Sequence, residues 1–222
     1  MSQEAPPAGE AEGGAPAGPH FDFRTPEYAV YPDTRPEKWE SCRGLGYSFG
    51  YNRNESVADM RSSAELVRSF VDVVSKNGNL LIGVGPTGDG SIPPEQAERL
   101  LALGDWLRVN GEAIYATRPW ERAEGRASDG TPVRFTRGAS ALYAVLLDRP
   151  RERRVRIEGL AAPEGARLAQ LGHDAPLAWR REGDDVAIEL PDSLPDSPAY
   201  ALRVARQAAA SGARRAFRLA AA

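Results

Sequence analysis

The chain has 222 residues, of which 41% are hydrophobic and 27% charged, and its formal net charge is −3. Its 28 basic and 31 acidic residues are mixed along the sequence, which excludes the clustered basic face of a nucleic-acid-binding protein. No apolar run approaches the roughly 18 residues needed to span a bilayer, and the single cysteine, Cys42, excludes an internal disulfide. We expect an ordinary protein of one or two domains.

Residues 1–19 form a lead rich in proline, glycine, alanine and glutamate. We predict that this lead is disordered, because it lacks the apolar residues of a core. It also lacks the basic and apolar regions of a secretory signal. The chain as written is therefore expected in the cytoplasm, although a longer parent protein could be secreted.

Residues 21–55 read FDFRTPEYAVYPDTRPEKWESCRGLGYSFGYNRNE, a mixture of carboxylates, aromatics, glycines and arginines. The stretch has no helical or strand periodicity, and its prolines exclude a helix. We expect an irregular binding loop with one short strand near residues 47–51. Glu27 and Glu40 each stand beside an aromatic residue that can partly desolvate a carboxyl group. Carboxyl groups in such surroundings are typical of a sugar-hydrolysing site.

Two predicted helices enclose a short apolar strand after this stretch. A Ser-Ser-Ala-Glu capping box and apolar residues at helical spacing predict a helix over residues 63–76. The run Asn-Leu-Leu-Ile-Gly-Val at residues 79–84 predicts a strand buried on both faces of a parallel sheet. A second helix is predicted from residue 93 to residue 110. This order is typical of an α/β barrel, but a complete barrel needs eight strands and roughly 250 residues.

From about residue 123 the pattern changes to short alternating runs divided by turn residues such as Asp129-Gly130 and Gly183-Asp184. We predict an antiparallel β-sandwich over residues 123–206. The remaining residues, 207–222, form an alanine- and arginine-rich tail that is expected to be disordered or a frayed helix. The predicted strands of the sandwich are residues 133–135, 142–147, 155–157, 168–171, 177–179, 186–190 and 200–204.

Several motifs follow one another in an unbroken order between about residues 19 and 120. They include Thr25-Pro26-Glu27-Tyr28, Lys38-Trp39-Glu40, Ser48-Phe49-Gly50-Tyr51, Gly78-Asn79-Leu80-Leu81 and Trp106-Leu107-Arg108-Val109-Asn110-Gly111-Glu112. Together they resemble the alpha-L-fucosidase family of retaining glycoside hydrolases, in the second half of that family's catalytic domain. The resemblance implies the C-terminal portion of a (β/α)8 barrel over residues 20–122, joined to a β-sandwich.

The resemblance also implies roles for individual residues. The acid/base matches Glu27 in bacterial members of the family and Glu40 in animal members, and the bacterial character of the surrounding residues favours Glu27. Phe49 matches an aromatic that lines the fucose subsite, while Trp39 and Tyr51 are weaker substrate-binding candidates, for which packing beneath the loop is the favoured alternative. The family's nucleophile, an aspartate in a Trp-Asn/Ser-Asp motif, has no counterpart in this sequence. The resemblance implies no metal and no cofactor.

Three functional hypotheses follow. The first is retaining hydrolysis of terminal alpha-L-fucosides on a fucosylated oligosaccharide or glycoconjugate. This chain would then be a partial catalytic domain, inactive alone, that the missing barrel half or a homo-oligomer completes. The second is a non-catalytic carbohydrate-binding or scaffold sandwich, which exposed aromatics among Trp179, Tyr143 and Tyr200 would support. The third is a truncated gene product, because the low-complexity lead replaces family sequence abruptly.

Overall fold

The structure, a computed structural model, describes residues 22–160 and 162–205. The predictions for residues 1–19 and 207–222 lie outside the described residues. Neither helix in the described part is long and apolar enough to cross a membrane. The elements are, in chain order, β1 (Trp39–Gly44), α1 (Ser63–Ser75), β2 (Gly78–Gly83), α2 (Pro94–Asn110), β3 (Arg118–Arg126), β4 (Pro132–Arg137), β5 (Ala141–Leu146), β6 (Arg154–Ile157), β7 (Arg167–Gln170), β8 (Trp179–Glu182), β9 (Asp185–Glu189) and β10 (Tyr200–Ala205).

The first part of the fold is a small parallel sheet. Strands β1 and β2 pair in parallel along their full lengths. Residues 24–28 lie on the other side of β1, through bridges from Arg24 to Trp39 and from Glu27 to Cys42. Three parallel segments therefore lie side by side, in the order 24–28, β1, β2.

Both predicted helices are confirmed. The Ser62 hydroxyl accepts a hydrogen bond from the Glu65 amide, and the Glu65 carboxylate accepts one from the Ser62 amide at 2.8 Å, which is the predicted capping box. Helix α2 begins at Pro94, where the missing N–H of proline costs nothing because a first-turn amide has no partner within the helix. The Gln96 side chain accepts a hydrogen bond from the Gly85 amide at 2.8 Å, so α2 is tied to the loop that precedes it.

The predicted strand at residues 79–84 is present as β2, but it is not buried on both faces. Leu81 is 50% exposed, and Asn79 on the same face is also exposed. Helix α1 packs on the other face of the sheet. Because Leu81 and Asn79 are exposed, we call the face that carries them the open face.

The strand predicted within residues 21–55 is misplaced. The strand in this stretch is β1, not residues 47–51, which form a loop. The sequence Trp-Glu-Ser-Cys-Arg-Gly does not show the alternation of apolar and polar residues that predicts a strand. Side chains do alternate between two faces, but polar residues lie on both of them. Trp39, Ser41 and Arg43 point to the covered face and are buried, whereas Glu40 and Cys42 lie on the open face and are half-buried.

The second part of the fold is the predicted antiparallel β-sandwich. One sheet has the strand order β3-β4-β5-β10-β7 and the other the order β6-β9-β8. Apolar side chains fill the space between the sheets, and those of Phe135, Leu146, Ile157, Ile188 and Leu202 are fully buried. The sequence pattern did not predict β3, which begins at Arg118 and so reaches back across the expected boundary at residue 123.

The two parts are packed against each other. A second apolar cluster, which includes Val71, Trp106 and Val145, lies between the helices and the larger sheet. The Trp106 indole N–H donates to the Ala199 carbonyl at 2.9 Å across this junction. The helical region therefore has its own buried contact with the sandwich.

Four charged residues also bridge the junction. The Lys76 ammonium lies 3.1 Å from the Asp72 carboxylate and 2.7 Å from that of Glu124, and the Arg134 guanidinium lies 2.5 Å from Asp72 and 3.3 Å from Glu124. Asp72 and Lys76 lie at or near the C-terminal end of α1, whereas Glu124 and Arg134 lie on β3 and β4. We call these residues the junction network, and they join the two parts electrostatically.

Candidate active site

The candidate site lies at one edge of the parallel sheet. Because the three segments are parallel, their carboxyl ends meet at the same edge. Residues 45–62 leave the end of β1 there, and residues 84–93 leave the end of β2. Ligand sites of open and closed α/β sheets lie at this edge, because the loops that converge there can vary in length and sequence without disturbing the sheet.

The two predicted acid/base candidates lie on the open face. Glu27 is paired with Cys42, so the two side chains point to the same side of the sheet, and Glu40 joins them because it lies two residues from Cys42. Glu27 is exposed and Glu40 is half-buried. The described residues leave Glu27 exposed, so they do not provide the partial desolvation that was expected for its carboxyl group.

Tyr28 follows Glu27 and has an unusual backbone. Its φ is +53°, in the left-handed region that a bulky side chain rarely occupies. The Tyr28 hydroxyl accepts a hydrogen bond from the Gly44 amide at 3.1 Å, and its ring meets that of Phe49 edge-to-face at 5.0 Å between centroids. The Arg43 guanidinium lies 5.3 Å from the centre of the Tyr28 ring. The residue after the candidate acid is therefore held by contacts to both β1 and the following loop.

Arg43 is a buried cation on the covered face. Its side chain is mostly buried, and its Nε donates to the Gly44 carbonyl at 3.3 Å. Burial, together with the nearby positive charge of Arg61, lowers the pKa of Arg43 to about 10. Its contact with the Tyr28 ring is a cation–π interaction, which partly replaces lost hydration.

Three aromatic side chains are exposed on the loop that follows β1. Tyr47, Phe49 and Tyr51 are 68%, 40% and 49% exposed. They occur at every second position of residues 47–51, where a strand was predicted, and the structure instead displays the three rings from a loop. Phe49 and Tyr51 are the substrate-binding candidates predicted from the sequence, whereas the exposure of Tyr47 and the long-range contacts of Tyr28 became visible only in the structure.

The loop that carries Tyr47, Phe49 and Tyr51 is fixed by contacts of its own backbone. The Glu55 carboxylate accepts a hydrogen bond from the Tyr47 amide at 3.1 Å. A Cβ atom at Gly85 would lie 2.3 Å from the Tyr51 nitrogen, so the loop after β1 rests directly on the backbone of the loop after β2. A glycine is needed at this position, because any side chain would separate the two loops.

Trp39 occupies a different environment from the exposed rings. It has 0% exposure, its indole N–H donates to the Lys76 carbonyl at 3.0 Å, and its ring meets that of Tyr31 edge-to-face at 5.0 Å. No ligand can reach the ring without unfolding the covered face. This placement favours packing, the alternative considered for Trp39, over contact with substrate.

The three aromatics considered for a sugar-binding sandwich face are not available as a platform. Tyr143 and Tyr200 are 3% and 2% exposed. Burial and the Glu112 carboxylate, which accepts a hydrogen bond from the Tyr143 hydroxyl, raise the pKa of Tyr143 to about 12. Trp179 is partly buried against the sandwich core, and its indole N–H donates to the Ala166 carbonyl.

Comparison with known proteins identifies relatives of the chain. A family model described as alpha-L-fucosidase matches residues 12–112. Human tissue alpha-L-fucosidase is 37% identical over 181 residues, which cover 80% of this chain and 38% of the human protein.

Solved structures agree with these sequence matches. The Thermotoga maritima alpha-fucosidase in complex with a mechanism-based inhibitor is 42% identical, with a TM-score of 0.78, and the match covers 86% of this chain and 44% of that one. Alpha-L-fucosidase isoenzyme 1 from Paenibacillus thiaminolyticus is 29% identical, with a TM-score of 0.71, and the match covers 84% of this chain and 45% of that one.

The matches to whole proteins are too long to be confined to the parallel part, so they include the sandwich. This chain spans less than half the length of each of these relatives. The motif order, the sequence matches and the shared fold all lead to the same assignment. The chain belongs to the alpha-L-fucosidase family.

Proposed function

We propose that this chain supplies the acid/base part of an alpha-L-fucosidase active site, with Glu27 as the acid/base. The observation that carries the proposal is the exposed Glu27 carboxylate at the carboxyl edge of a parallel sheet, next to Tyr28, whose ring contacts the exposed ring of Phe49, in a member of this family. The substrate would be a terminal alpha-L-fucoside of an oligosaccharide or glycoconjugate. One solved relative, the Thermotoga maritima enzyme, is described in complex with fucose.

The parallel part is proposed to be the last portion of a (β/α)8 barrel. In such a barrel the strands are parallel, helices cover the outside, and the inner face is filled by side chains from all strands. The order 24–28, β1, β2, with α1 on one face only, fits the last strands of this arrangement. The open face that carries Glu27 and Leu81 would then point towards the barrel interior.

The proposed reaction uses two carboxyl groups. Retaining glycosidases place them roughly 5 to 5.5 Å apart, one as nucleophile and one as acid/base. Glu27 would protonate the glycosidic oxygen as the nucleophile attacks the anomeric carbon, and would then take a proton from the attacking water. The nucleophile would come from outside this chain, either from the missing barrel half or from another subunit.

Phe49 and Tyr51 are proposed to bind the sugar. Their rings are partly exposed at the same edge as Glu27, and an aromatic face suits the apolar side of a sugar and its methyl group. Trp39 is left out of this proposed subsite because it is fully buried. Glu40 is kept as the alternative acid/base, since it shares the open face with Glu27.

Hydrolysis of an aryl alpha-L-fucoside tests the proposal. The 222-residue chain is assayed alone and after mixing with a separately produced N-terminal part of the Thermotoga maritima enzyme, the part that this chain does not match. We expect no hydrolysis by the chain alone and hydrolysis by the mixture. Glu27→Gln should lower that rate roughly 10²- to 10⁴-fold, the usual contribution of a general acid, whereas Glu40→Gln should leave most of it.

Two results would change the assignment. Hydrolysis by the chain alone that is lost in Glu27→Gln would require a nucleophile within this chain, and Glu40 on the same face would be the first candidate. In the mixture, loss of activity in Glu40→Gln but not in Glu27→Gln would make Glu40 the acid/base.

A further inference from the structure

Tyr28 is the residue in the candidate site whose conformation most needs an explanation. It is one of three non-glycine residues with positive φ among the described residues, the others being Asn77 and Ala116. Asparagine tolerates this region, and alanine is small, whereas a tyrosine there is strained. Such strain persists only where surrounding contacts impose it, and it is often found at functional sites.

The contacts that impose this conformation come from three directions. The Tyr28 amide donates to the Cys42 carbonyl at 2.9 Å, and the Tyr28 hydroxyl accepts from the Gly44 amide at 3.1 Å, so both ends of the residue are attached to β1. The ring lies against Phe49 and under the Arg43 guanidinium. A Cβ atom at Gly44 would lie 3.0 Å from the Tyr28 hydroxyl and 2.0 Å from the Ser48 carbonyl oxygen, so Tyr28 approaches β1 where a side chain would be in the way.

We propose that Tyr28 is a positioning residue, which sets the direction of Glu27 and the place of Phe49 relative to each other. This inference rests on the proposed function of Glu27. Tyr28 does not need to touch the sugar to act in this way. Its backbone fixes the chain immediately after Glu27, and its ring packs against that of Phe49. One residue therefore links the proposed proton donor to the proposed sugar-binding ring.

Tyr31 provides a matched control within the same stretch. Its ring also meets an aromatic edge-to-face at 5.0 Å, that of Trp39, and it also lies under an arginine, with the Arg35 guanidinium 4.6 Å from the ring centre. Unlike Tyr28, it is not next to a candidate acid and its φ is not positive. A loss of general packing should therefore be similar for Tyr28→Leu and Tyr31→Leu.

The first measurement uses the full chain alone. Amide hydrogen exchange of Gly44 should be roughly tenfold faster in Tyr28→Leu, because that amide loses its acceptor, and the nuclear Overhauser contacts of the Phe49 ring should change. Tyr31→Leu should alter neither signal. Unchanged Gly44 exchange and Phe49 contacts in Tyr28→Leu would overturn the proposal, since Tyr28 would then hold neither residue.

The second measurement uses the full chain mixed with the N-terminal part of the Thermotoga maritima enzyme. It compares kcat/KM for phenyl alpha-L-fucoside, whose leaving group needs a proton, with that for 2,4-dinitrophenyl alpha-L-fucoside, whose leaving group departs as an anion. A misplaced general acid strongly lowers kcat/KM for the phenyl substrate only. We expect Tyr28→Leu to lower kcat/KM for the phenyl substrate roughly tenfold more than for the dinitrophenyl substrate, a fraction of the full acid contribution. Tyr28→Phe, which keeps the ring contacts, should recover most of the loss.

The outcomes separate this inference from the proposed function. If Tyr28→Leu lowers kcat/KM equally for both substrates, as Tyr31→Leu is expected to do, Tyr28 has only a structural role and the inference is overturned. A leaving-group effect in Glu27→Gln would in that case leave the proposed function standing. Absence of hydrolysis by the mixture, or of any leaving-group effect in Glu27→Gln, would overturn both.

Discussion

The sandwich and the parallel part of this chain bury their strands to very different extents. In the sandwich, two sheets face each other and Leu202 on β10 has 0% exposure. In the parallel part, Leu81 on β2 is 50% exposed, although parallel strands are normally covered on both faces. The sandwich therefore closes its own core, whereas the parallel part leaves one face for something else to cover. The candidate acid lies on that unfinished face.

The largest expected difference in the free energy of unfolding is between alanine substitutions of one leucine from each part. Leu202→Ala should lower the free energy of unfolding by about 2–5 kcal/mol, because it leaves a cavity in a closed core. Leu81→Ala should cost less than about 1 kcal/mol, since half of that side chain already contacts water. Chemical denaturation of both variants measures the difference, and equal costs would mean that the open face is covered in solution.

The junction network provides the next test, because it decides whether the two parts unfold together. Asp72→Ala should cost about 1–3 kcal/mol, since it leaves the buried Lys76 and the partly buried Arg134 with only Glu124 as a shared partner. Urea unfolding followed by far-UV and tryptophan signals should then show the two signals separating. Asp105→Ala, which removes an exposed ion pair with Arg108, is the control and should change stability little. An Asp72 variant that behaves like this control would contradict the electrostatic link.

The capping box of α1 predicts a smaller effect with a defined pH dependence. Ser62→Ala should cost about 1 kcal/mol. Hydrogen bonds from the Ser62 amide and hydroxyl lower the pKa of Glu65 below its ordinary value of 4.5. A carboxyl whose pKa is lowered by folding stabilises the protein fully above the ordinary value, and this stabilisation is lost as the pH falls through the lowered value.

Thermal unfolding between pH 7 and pH 3 checks the sign of this effect. The stability difference between the unchanged chain and Glu65→Gln should be constant near neutral pH and should shrink in acid. A difference that grows as the pH falls would show that the Glu65 carboxylate does not stabilise the start of α1.

The smallest expected change in stability comes from the open face itself. Leu81→Lys should alter the free energy of unfolding by less than about 0.5 kcal/mol, as an exposed substitution usually does. It should also reduce self-association in sedimentation velocity, because it breaks an exposed apolar surface. A destabilisation comparable with that of Leu202→Ala would indicate that Leu81 packs against protein, and the contrast between the two parts would disappear.

Much of the local structure could be predicted from the sequence. Both helices were predicted from capping residues and apolar spacing, and six of the sandwich strands from alternating runs between turns, while the predicted run at residues 177–179 overlaps β8 only at Trp179. Glycines 130 and 183 have φ values of +89° and +66°, as the turns required. Strands β1 and β3 were missed, because β1 mixes polar and aromatic residues on two unlike faces and β3 is rich in charge.

The sequence by itself determined the helices, the turns and the order of family motifs, because these depend on residues that are close together in the chain. Only the tertiary structure decided that Trp39 is buried while Glu27 and Phe49 are exposed, and that Tyr28 links the last two. Those outcomes depend on which segments lie side by side and on which face is covered. The pairing of Glu27 with Cys42, and of Tyr28 with Gly44, joins residues too far apart in sequence for any local pattern to reveal.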